Sequence, residues 1–358
     1  MAYEYYIGMM SGTSMDSIDV VLCGLDETSC KLLASYEHPF PTILKDEIIT
    51  TIQDNVPIQT IGALDHRLGL LFSEAVNTFI DKKEINREDI VAIGSHGQTL
   101  WHEPLGNTPF TMQLGDPNII VAKTGLKVVA NFRHKDMAFG GSGAPLAPAF
   151  HQFLFDKSST MCIVNIGGIA NITVLGEQLL GYDIGPGNML MDAWIQEHQD
   201  QRYDENGVWS KNGSVNYTLL DMMMADSYFA QPYPKSTGRE KFNIAWLNKH
   251  ISTQYPVPNA IDIQRTLLEL TAQSISNEVL KFSPDMLLLS GGGANNIFLI
   301  ERIATLMPNI QVSIIEQRDW IEGMMMAWLA YKRIHEVPIN LKEVTGAKEN
   351  TILGIVYI

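Results

Sequence analysis

The sequence predicts an α/β fold in two domains of similar topology, and three observations carry that expectation. The chain has 358 residues, about the length of two ordinary domains. Short strand-like runs alternate with longer helical patterns along it, the signature of an α/β arrangement. The opening device, YYIGMMSGTSMDSIDVVLCGL, is a strand, a Gly/Ser/Thr turn and a returning strand, and it recurs at mid-chain as CIVNIGGIANITVLGEQLLGYDIGPGN. One such hairpin per domain would set two glycine-rich tips facing each other across a cleft.

Taken in order, apolar runs predict strands over 5–10, 20–25, 90–95, 127–130, 161–166, 172–175, 179–183, 286–289 and 311–314. Helical spacing predicts helices over 61–82, 118–124, 189–198, 263–282, 294–306 and 321–335. The last of these carries apolar residues at Ile321, Met324, Met325, Trp328 and Leu329, one face of a helix. The Gly/Pro-rich stretch AFGGSGAPLAPAFH (138–151) reads as the crossover into the second domain. The expected division is 1–130 plus 337–358 for the first domain and 131–336 for the second.

Composition narrows the partners. Hydrophobic residues make up 46% and charged residues 18%, a well-packed globular profile without a signal of disorder. The formal net charge of −15 argues against nucleic acid or an anionic membrane surface, both of which need a basic footprint. An anionic ligand would have to be met by local donors. The N-terminal MAYEYYIG lacks the regions of a signal peptide, and no apolar run reaches the length of a membrane span. Cys23, Cys30 and Cys162 fit neither a disulfide framework nor a zinc spacing. The expectation is a cytoplasmic protein with reduced thiols.

Several turns carry chemistry-bearing residues. SGTSMD (11–16) lacks the lysine of a Walker loop. Gly12 permits a tight turn, Thr13, Ser14 and nearby N–H groups suit phosphate oxygens, and Asp16 or Asp19 could hold magnesium through water. The same residues also suit an ordinary hairpin. NIGGIAN (165–171) is a second such turn. In LLLSGGGANN (287–296) three glycines follow a buried strand and precede a helix, at the sheet edge where ligands bind in open α/β proteins. GYDIGPGN (181–188) sets Asp183 at a strand end before a rigid loop, a place for a general base or for a turn aspartate. His96 and Gln98 end another strand. Arg133, His134 and Lys135 form a rare basic spot that suits a carboxylate or phosphate, or a solvated turn. Glu322 opens the last long helix, where the dipole favours an acid. There is no G-x-S-x-G, S-x-x-K or H-E-x-x-H motif, so serine hydrolysis and zinc catalysis lack support.

Together the stretches GMMSGTSMDSID, SHGQT, LGDPNIIVAKTG, FGGSGAPLAP, VNIGGIANITVL, GYDIGPGNMLMDAW, PKSTGREKFN, SGGGANN and VTGAKENTILG resemble the anhydro-N-acetylmuramic acid kinases of cell-wall recycling, from about residue 5 to 355. The resemblance implies an actin-like fold, two ribonuclease-H-like domains around a cleft. It implies a cytoplasmic enzyme, usually a homodimer, that uses ATP and Mg2+ to phosphorylate O6 of 1,6-anhydro-N-acetylmuramic acid while water opens the anhydro bridge. By position in the family's motifs, Asp183 is similar to the base that activates this water. Gly12, Thr13, Ser14, Met15, Asp16, Ser17, Ile18 and Asp19, with Gly168 and Gly185, would hold the phosphates and magnesium. Gly291, Gly292 and Gly293 would lie against the nucleoside. Arg133, Glu322, His96 and Gln98 would face the sugar, Arg133 towards its lactyl carboxylate. An ordinary carbohydrate kinase acting on a free hydroxyl, a non-catalytic nucleotide or sugar sensor, and a structural protein are the competing readings.

Three departures from the family pattern bear on these expectations. Ser17 stands where glycine is common, which raises the question of a positive φ there. Asn131 stands where an aspartate precedes Phe-Arg, and Ile184 replaces a hydroxyl residue beside Asp183.

Overall fold

The computed structural model of the chain describes residues 3–12, 15–155 and 159–358. The chain forms two compact units, Met1–Leu154 with Trp320–Ile358, and Phe155–Asp319.

The first unit holds β1 (Glu4–Ser11), β2 (Ser17–Leu25), β3 (Cys30–Pro39), β4 (Ile90–Ser95), the hairpin strands β5 (Gln98–Glu103) and β6 (Phe110–Leu114), and β7 (Val128–Ala130). The second holds β8 (Met161–Ile166), β9 (Ile169–Leu175), β10 (Leu180–Pro186), β11 (Met286–Ser290) and β12 (Gln311–Ile314), after which β13 (Ile355–Tyr357) returns to the first. The first sheet runs β13-β7-β4-β1-β2-β3 and the second β10-β9-β8-β11-β12. In both, three strands pair antiparallel and the first of them pairs parallel with a fourth, which pairs parallel with a fifth. This is the ribonuclease-H-like order, present twice, as the recurring hairpin suggested.

Two helices of the first unit matter for position, α1 (Ile58–Lys82) and α4 (Ile321–Ile334). In the second unit they are α2 (Met189–Gln199) and α3 (Ala260–Leu280). Side chains of β1 alternate between two covered faces. Ile7 and Met9 join Leu64, Phe72 and Phe79 of α1 in one core. On the other face Gly8 and Gly94 meet α4 so closely that an added Cβ would strike the carbonyl oxygens of Gly323 and Met326. Glycine at these two points lets α4 lie directly on the backbone of β1 and β4, and so fixes where Glu322, in its first turn, is held. In the second unit α3 is buried almost throughout, and Ile263, Leu267, Leu268 and Ile275 join Val164, Ile172 and Ile184 in the core.

The units divide at 154/155 and 319/320, not at the expected 130/131 and 336/337. Segment 131–154 stays with the first unit because it is fastened there. The Thr345 hydroxyl donates to Asp136 at 2.8 Å, and the Phe150 and Trp328 rings lie 5.4 Å apart. Helix α4 stays because of the glycine contacts just described.

The contacts predict opposite effects for two Gly→Ala changes. Gly8→Ala forces a methyl into the α4 backbone and lowers unfolding free energy by at least about 2 kcal/mol. Gly62→Ala, at an exposed position of α1 with nothing within 4 Å, raises it by about 0.5–1 kcal/mol. Denaturant midpoints of the two variants against wild type check both signs.

Candidate active site

In the second unit, three turns gather at one edge of the sheet. The Gly187 and Met189 N–H groups donate to the Gly168 carbonyl at 2.9 and 3.3 Å, and Asn188 N–H donates to Gly167 at 2.8 Å. The β8–β9 turn and the loop after β10 are thereby clasped together. Gly291 takes φ +79°, and side chains at Gly291 or Gly293 would collide with Asn165 or Ile166. Gly168 and Gly292 are exposed and have nothing closer than 3.7 Å to an added Cβ. The glycines therefore divide into two kinds: Gly187, Gly291 and Gly293 permit packing, whereas Gly168 and Gly292 leave backbone open to a ligand. Gly185, expected at the phosphates, is buried; it takes φ +154° and a Cβ would meet Phe229 Cε1 at 2.9 Å.

Asp183 sits on β10 opposite Asn171, and the next pair is Gly185 with Ala170. Ile184 is the extra residue of a bulge, a device that re-aims neighbouring side chains, and its own side chain is fully buried. One oxygen of Asp183, Oδ2, accepts from the Ser236 hydroxyl at 2.9 Å and from Thr237 N–H at 3.0 Å. Its main chain is held as well: its N–H donates to the Lys235 carbonyl at 3.0 Å, and the Tyr228 hydroxyl donates to its carbonyl at 2.8 Å. Burial pushes the carboxyl above its ordinary value; the Thr237 and Ser236 hydrogen bonds oppose this and the Glu240 charge adds to it. The arrangement is a carboxylate anchored through one oxygen, with raised basicity, which suits proton abstraction.

In the first unit, Thr13 and Ser14 lie outside the described residues. Around them, Met15 N–H donates to the Gly12 carbonyl at 3.1 Å, and Met15 takes φ 52° with its side chain buried. Ser17 does not need a positive φ: it opens β2 opposite Pro39, and its hydroxyl donates to Asp19 at 3.2 Å. The Ile18 side chain is fully buried in the core. Asp16 is exposed and pairs with Lys45 at 2.9 Å. Among the described residues no three His, Cys, Asp or Glu side chains gather as a metal cage. One or two carboxylates fit magnesium held mainly by water and phosphate; half-buried Asp19 fits this better than Asp16, which Lys45 already neutralises. Gln98 is buried, and its Oε1 accepts from the Ser11 hydroxyl at 2.6 Å, so it braces the strand that leads into Gly12.

His96 and Arg133 form one element. His96 Nδ1 donates to the Gly97 carbonyl at 2.8 Å, which leaves Nε2 as an acceptor. Arg133 Nε and Nη2 both point to it, at 3.1 and 2.9 Å, and Nη1 donates to the Gly143 carbonyl at 2.8 Å. Burial, reinforced by the Arg133 charge, pushes the imidazole down to about 3, so the ring is a neutral brace and not an acid. Burial lowers Arg133 to about 10 while Glu322 pulls it back up. His134 and Lys135 are exposed beside this cluster. A guanidinium has five donors, and these contacts leave part of the set to meet an anion.

Sequence reasoning singled out Asp183, Arg133 and the glycine turns as candidates. It missed Ser236 and Thr237, whose stretch PKSTGREKFN carried the only signal, and it missed Ser11 and Tyr228.

A sequence model of the anhydro-N-acetylmuramic acid kinase family matches residues 4–358. The chain is 61% identical over 359 residues to an anhydro-N-acetylmuramic acid kinase of Sulfurovum sp. (strain NBC37-1), covering all of both chains. It is 48% identical over 365 residues to the protein of that name from Vibrio cholerae, covering 99% of this chain and 98% of that one. Among solved structures it is similar to the Acidaminococcus fermentans (R)-2-hydroxyglutaryl-CoA dehydratase component A, with a TM-score of 0.48 and 9% identity over 93% of this chain and 99% of that one.

Two titrations test the site. Carbon-13 NMR of the carboxyl should place Asp183 above its ordinary value, and Ser236→Ala should move it further up, because the lost hydroxyl stabilised the ionised form; a downward move contradicts the geometry. His96 titrates near 3 folded and at about 6.5 unfolded. Between these values the unfolded chain binds more protons, so stability rises with pH. The contribution is complete above about pH 6.5 and is lost as pH falls towards 3. His151, pushed down to about 4 by burial, acts in the same window. His96→Gln should flatten the fall in stability measured by denaturation across it.

Proposed function

The chain belongs to the anhydro-N-acetylmuramic acid kinase family, and on that premise we propose that it uses ATP to phosphorylate O6 of 1,6-anhydro-N-acetylmuramic acid while water opens the anhydro bridge. The observation that carries this reading is Asp183, a carboxylate anchored through Oδ2 and raised in basicity by burial. O6 in the bridge bears no proton, so a base has nothing to remove from it. Water, by contrast, needs a base to attack the anomeric carbon.

In the proposed reaction Asp183 takes one proton from water as the water oxygen bonds to C1. The C1–O6 bond breaks and its electron pair stays on O6. O6 accepts the γ-phosphoryl group, ADP leaves, and the product is N-acetylmuramic acid 6-phosphate. Gly168 offers open backbone to the phosphates and Gly292 to the nucleoside, and by their place in the family motif Gly12, Thr13 and Ser14 are further phosphate donors. Arg133, braced by neutral His96, meets the lactyl carboxylate, and Glu322 takes sugar hydroxyls. Gln98 acts through Ser11 and not on the sugar. Magnesium, held largely by water near Asp19, would supply charge neutralisation at the phosphates when bound. The same reading carries a homodimer and a cytoplasmic location.

The test is ADP release with two sugars side by side. ADP should appear with 1,6-anhydro-N-acetylmuramic acid and magnesium, and Asp183→Asn should reduce kcat by about 10³-fold or more. Release with N-acetylmuramic acid but not with the anhydro sugar would overturn the ring-opening step and leave an ordinary kinase acting on a free hydroxyl.

A further inference from the structure

Behind Asp183 lies an ion pair with no direct part in the reaction. Lys235 Nζ and Glu278 Oε1 are 2.7 Å apart, with side chains only 1% and 5% exposed. We propose that this buried pair is the positioning device for the Asp183 carboxylate. The proposal rests on the reading of Asp183 as the base.

Stability alone does not account for such a pair. Desolvating two charges roughly cancels their attraction, and apolar replacements of similar volume are often neutral or stabilising. What the pair touches does account for it. Glu278 lies near the end of α3, and its second oxygen accepts from the Tyr182 hydroxyl at 3.0 Å and from Lys281 at 2.7 Å. Tyr182 is the residue before Asp183. Lys235 is the residue before Ser236, whose hydroxyl holds the carboxylate. One glutamate thus joins the strand that carries the base to the loop that orients it.

The ammonium extends the clasp. Lys235 Nζ donates to the Tyr228 and Phe229 carbonyls, both at 3.4 Å, and lies 4.8 Å from the centroid of the Tyr228 ring. The Tyr228 hydroxyl in turn donates to the Asp183 carbonyl. The three segments that contact Asp183 from outside its own strand pairing, at Tyr228, at Lys235 and at Ser236–Thr237, are therefore tied to one buried charge. Although burial raises it, the hydrogen bonds from Lys235 and Lys281 hold the Glu278 carboxyl below its ordinary value, so the glutamate stays ionised. Of these residues only Tyr228 and Lys235 bond to the Asp183 main chain, and neither bonds to its carboxylate, which makes the pair a positioning device and not a participant in proton transfer.

The test removes the polar hub without leaving a buried charge behind, since Lys281, the other partner of Glu278, is exposed. The triple variant Lys235→Met, Glu278→Leu, Tyr182→Phe should melt within about 4 °C of wild type. Its kcat should fall about 10²-fold with KM for the anhydro sugar within about threefold, since a base displaced by about 1 Å loses rate and not affinity. A folded triple variant with wild-type kcat overturns the proposal. If the triple variant does not fold, Tyr182→Phe alone decides. It removes one hydroxyl and keeps the ring stacked on Tyr233; it should lower kcat several-fold with KM unchanged, and an unchanged kcat overturns the proposal. Asp183→Asn is measured alongside. If it retains wild-type kcat, the reading of Asp183 as the base falls and the positioning proposal falls with it. If it is inactive while the hub variants are fully active, only the positioning proposal falls.

Discussion

Both units depend on backbone meeting backbone where no side chain would fit. In the first, α4 rests on β1 and β4 through Gly8 and Gly94. In the second, the loop after β10 rests on the β8–β9 turn, and Gly187 would drive any Cβ into the Gly167 carbonyl. A close main-chain approach has two consequences. It removes the slack that longer side chains would allow, so Glu322 and the loop behind Asp183 are held at fixed distances from their sheets. It also leaves N–H and C=O groups at the sheet edge, which suits an acidic chain that must hold phosphate without a basic surface.

Electrostatics follow the same economy of donors. The chain carries −15 overall, yet the Arg133 guanidinium is kept in place by a neutral histidine and a carbonyl, with no carboxylate within salt-bridge distance among the described residues. A bound carboxylate therefore does not have to displace an existing partner. On the other unit, anchoring Asp183 through Oδ2 with one hydroxyl and one N–H offsets only part of the effect of burial. Heavier hydrogen bonding would have stabilised the ionised form and made it a poorer base.

Much of this was legible in the sequence. The expected strands at 90–95 and 161–166 coincide with β4 and β8, because buried central strands read as near-continuous apolar runs; 311–314 coincides with β12 although that edge strand is half-exposed. β3 was missed because its residues are mostly half-exposed and a register shift at Leu22/Cys23 breaks its pairing pattern. The domain boundary was misplaced because α4 belongs to the first unit through contacts made by two distant glycines, which have no local signature. Asp183 was legible from its strand end and glycine loop. Its orienting partners were not, since Ser236 and Thr237 lie outside any helix or strand and more than fifty residues away, at separations of 53 and 54.

The departures from the family pattern are explained by the same local physics. Positive φ in the first hairpin falls on Met15, not on Ser17, and burial of the Met15 side chain offsets the strain of that conformation. Ser17 is free to take strand geometry and to support Asp19. Asn131 takes φ 61°, a region asparagine tolerates better than most residues, and its amide donates to the Tyr357 hydroxyl at 2.7 Å; an uncharged residue there adds no second carboxylate to the one that Glu322 already sets near Arg133. Ile184 occupies the bulge with its side chain in the core, so a hydroxyl lost beside Asp183 is replaced by apolar burial on the far side of the strand. Ile184 is taken up by the core and Asn131 by Tyr357, whereas Ser17 contacts Asp19 directly. Asn131 and Ile184 therefore act through conformation and packing, and of the three only Ser17 bonds to a carboxylate that suits a metal.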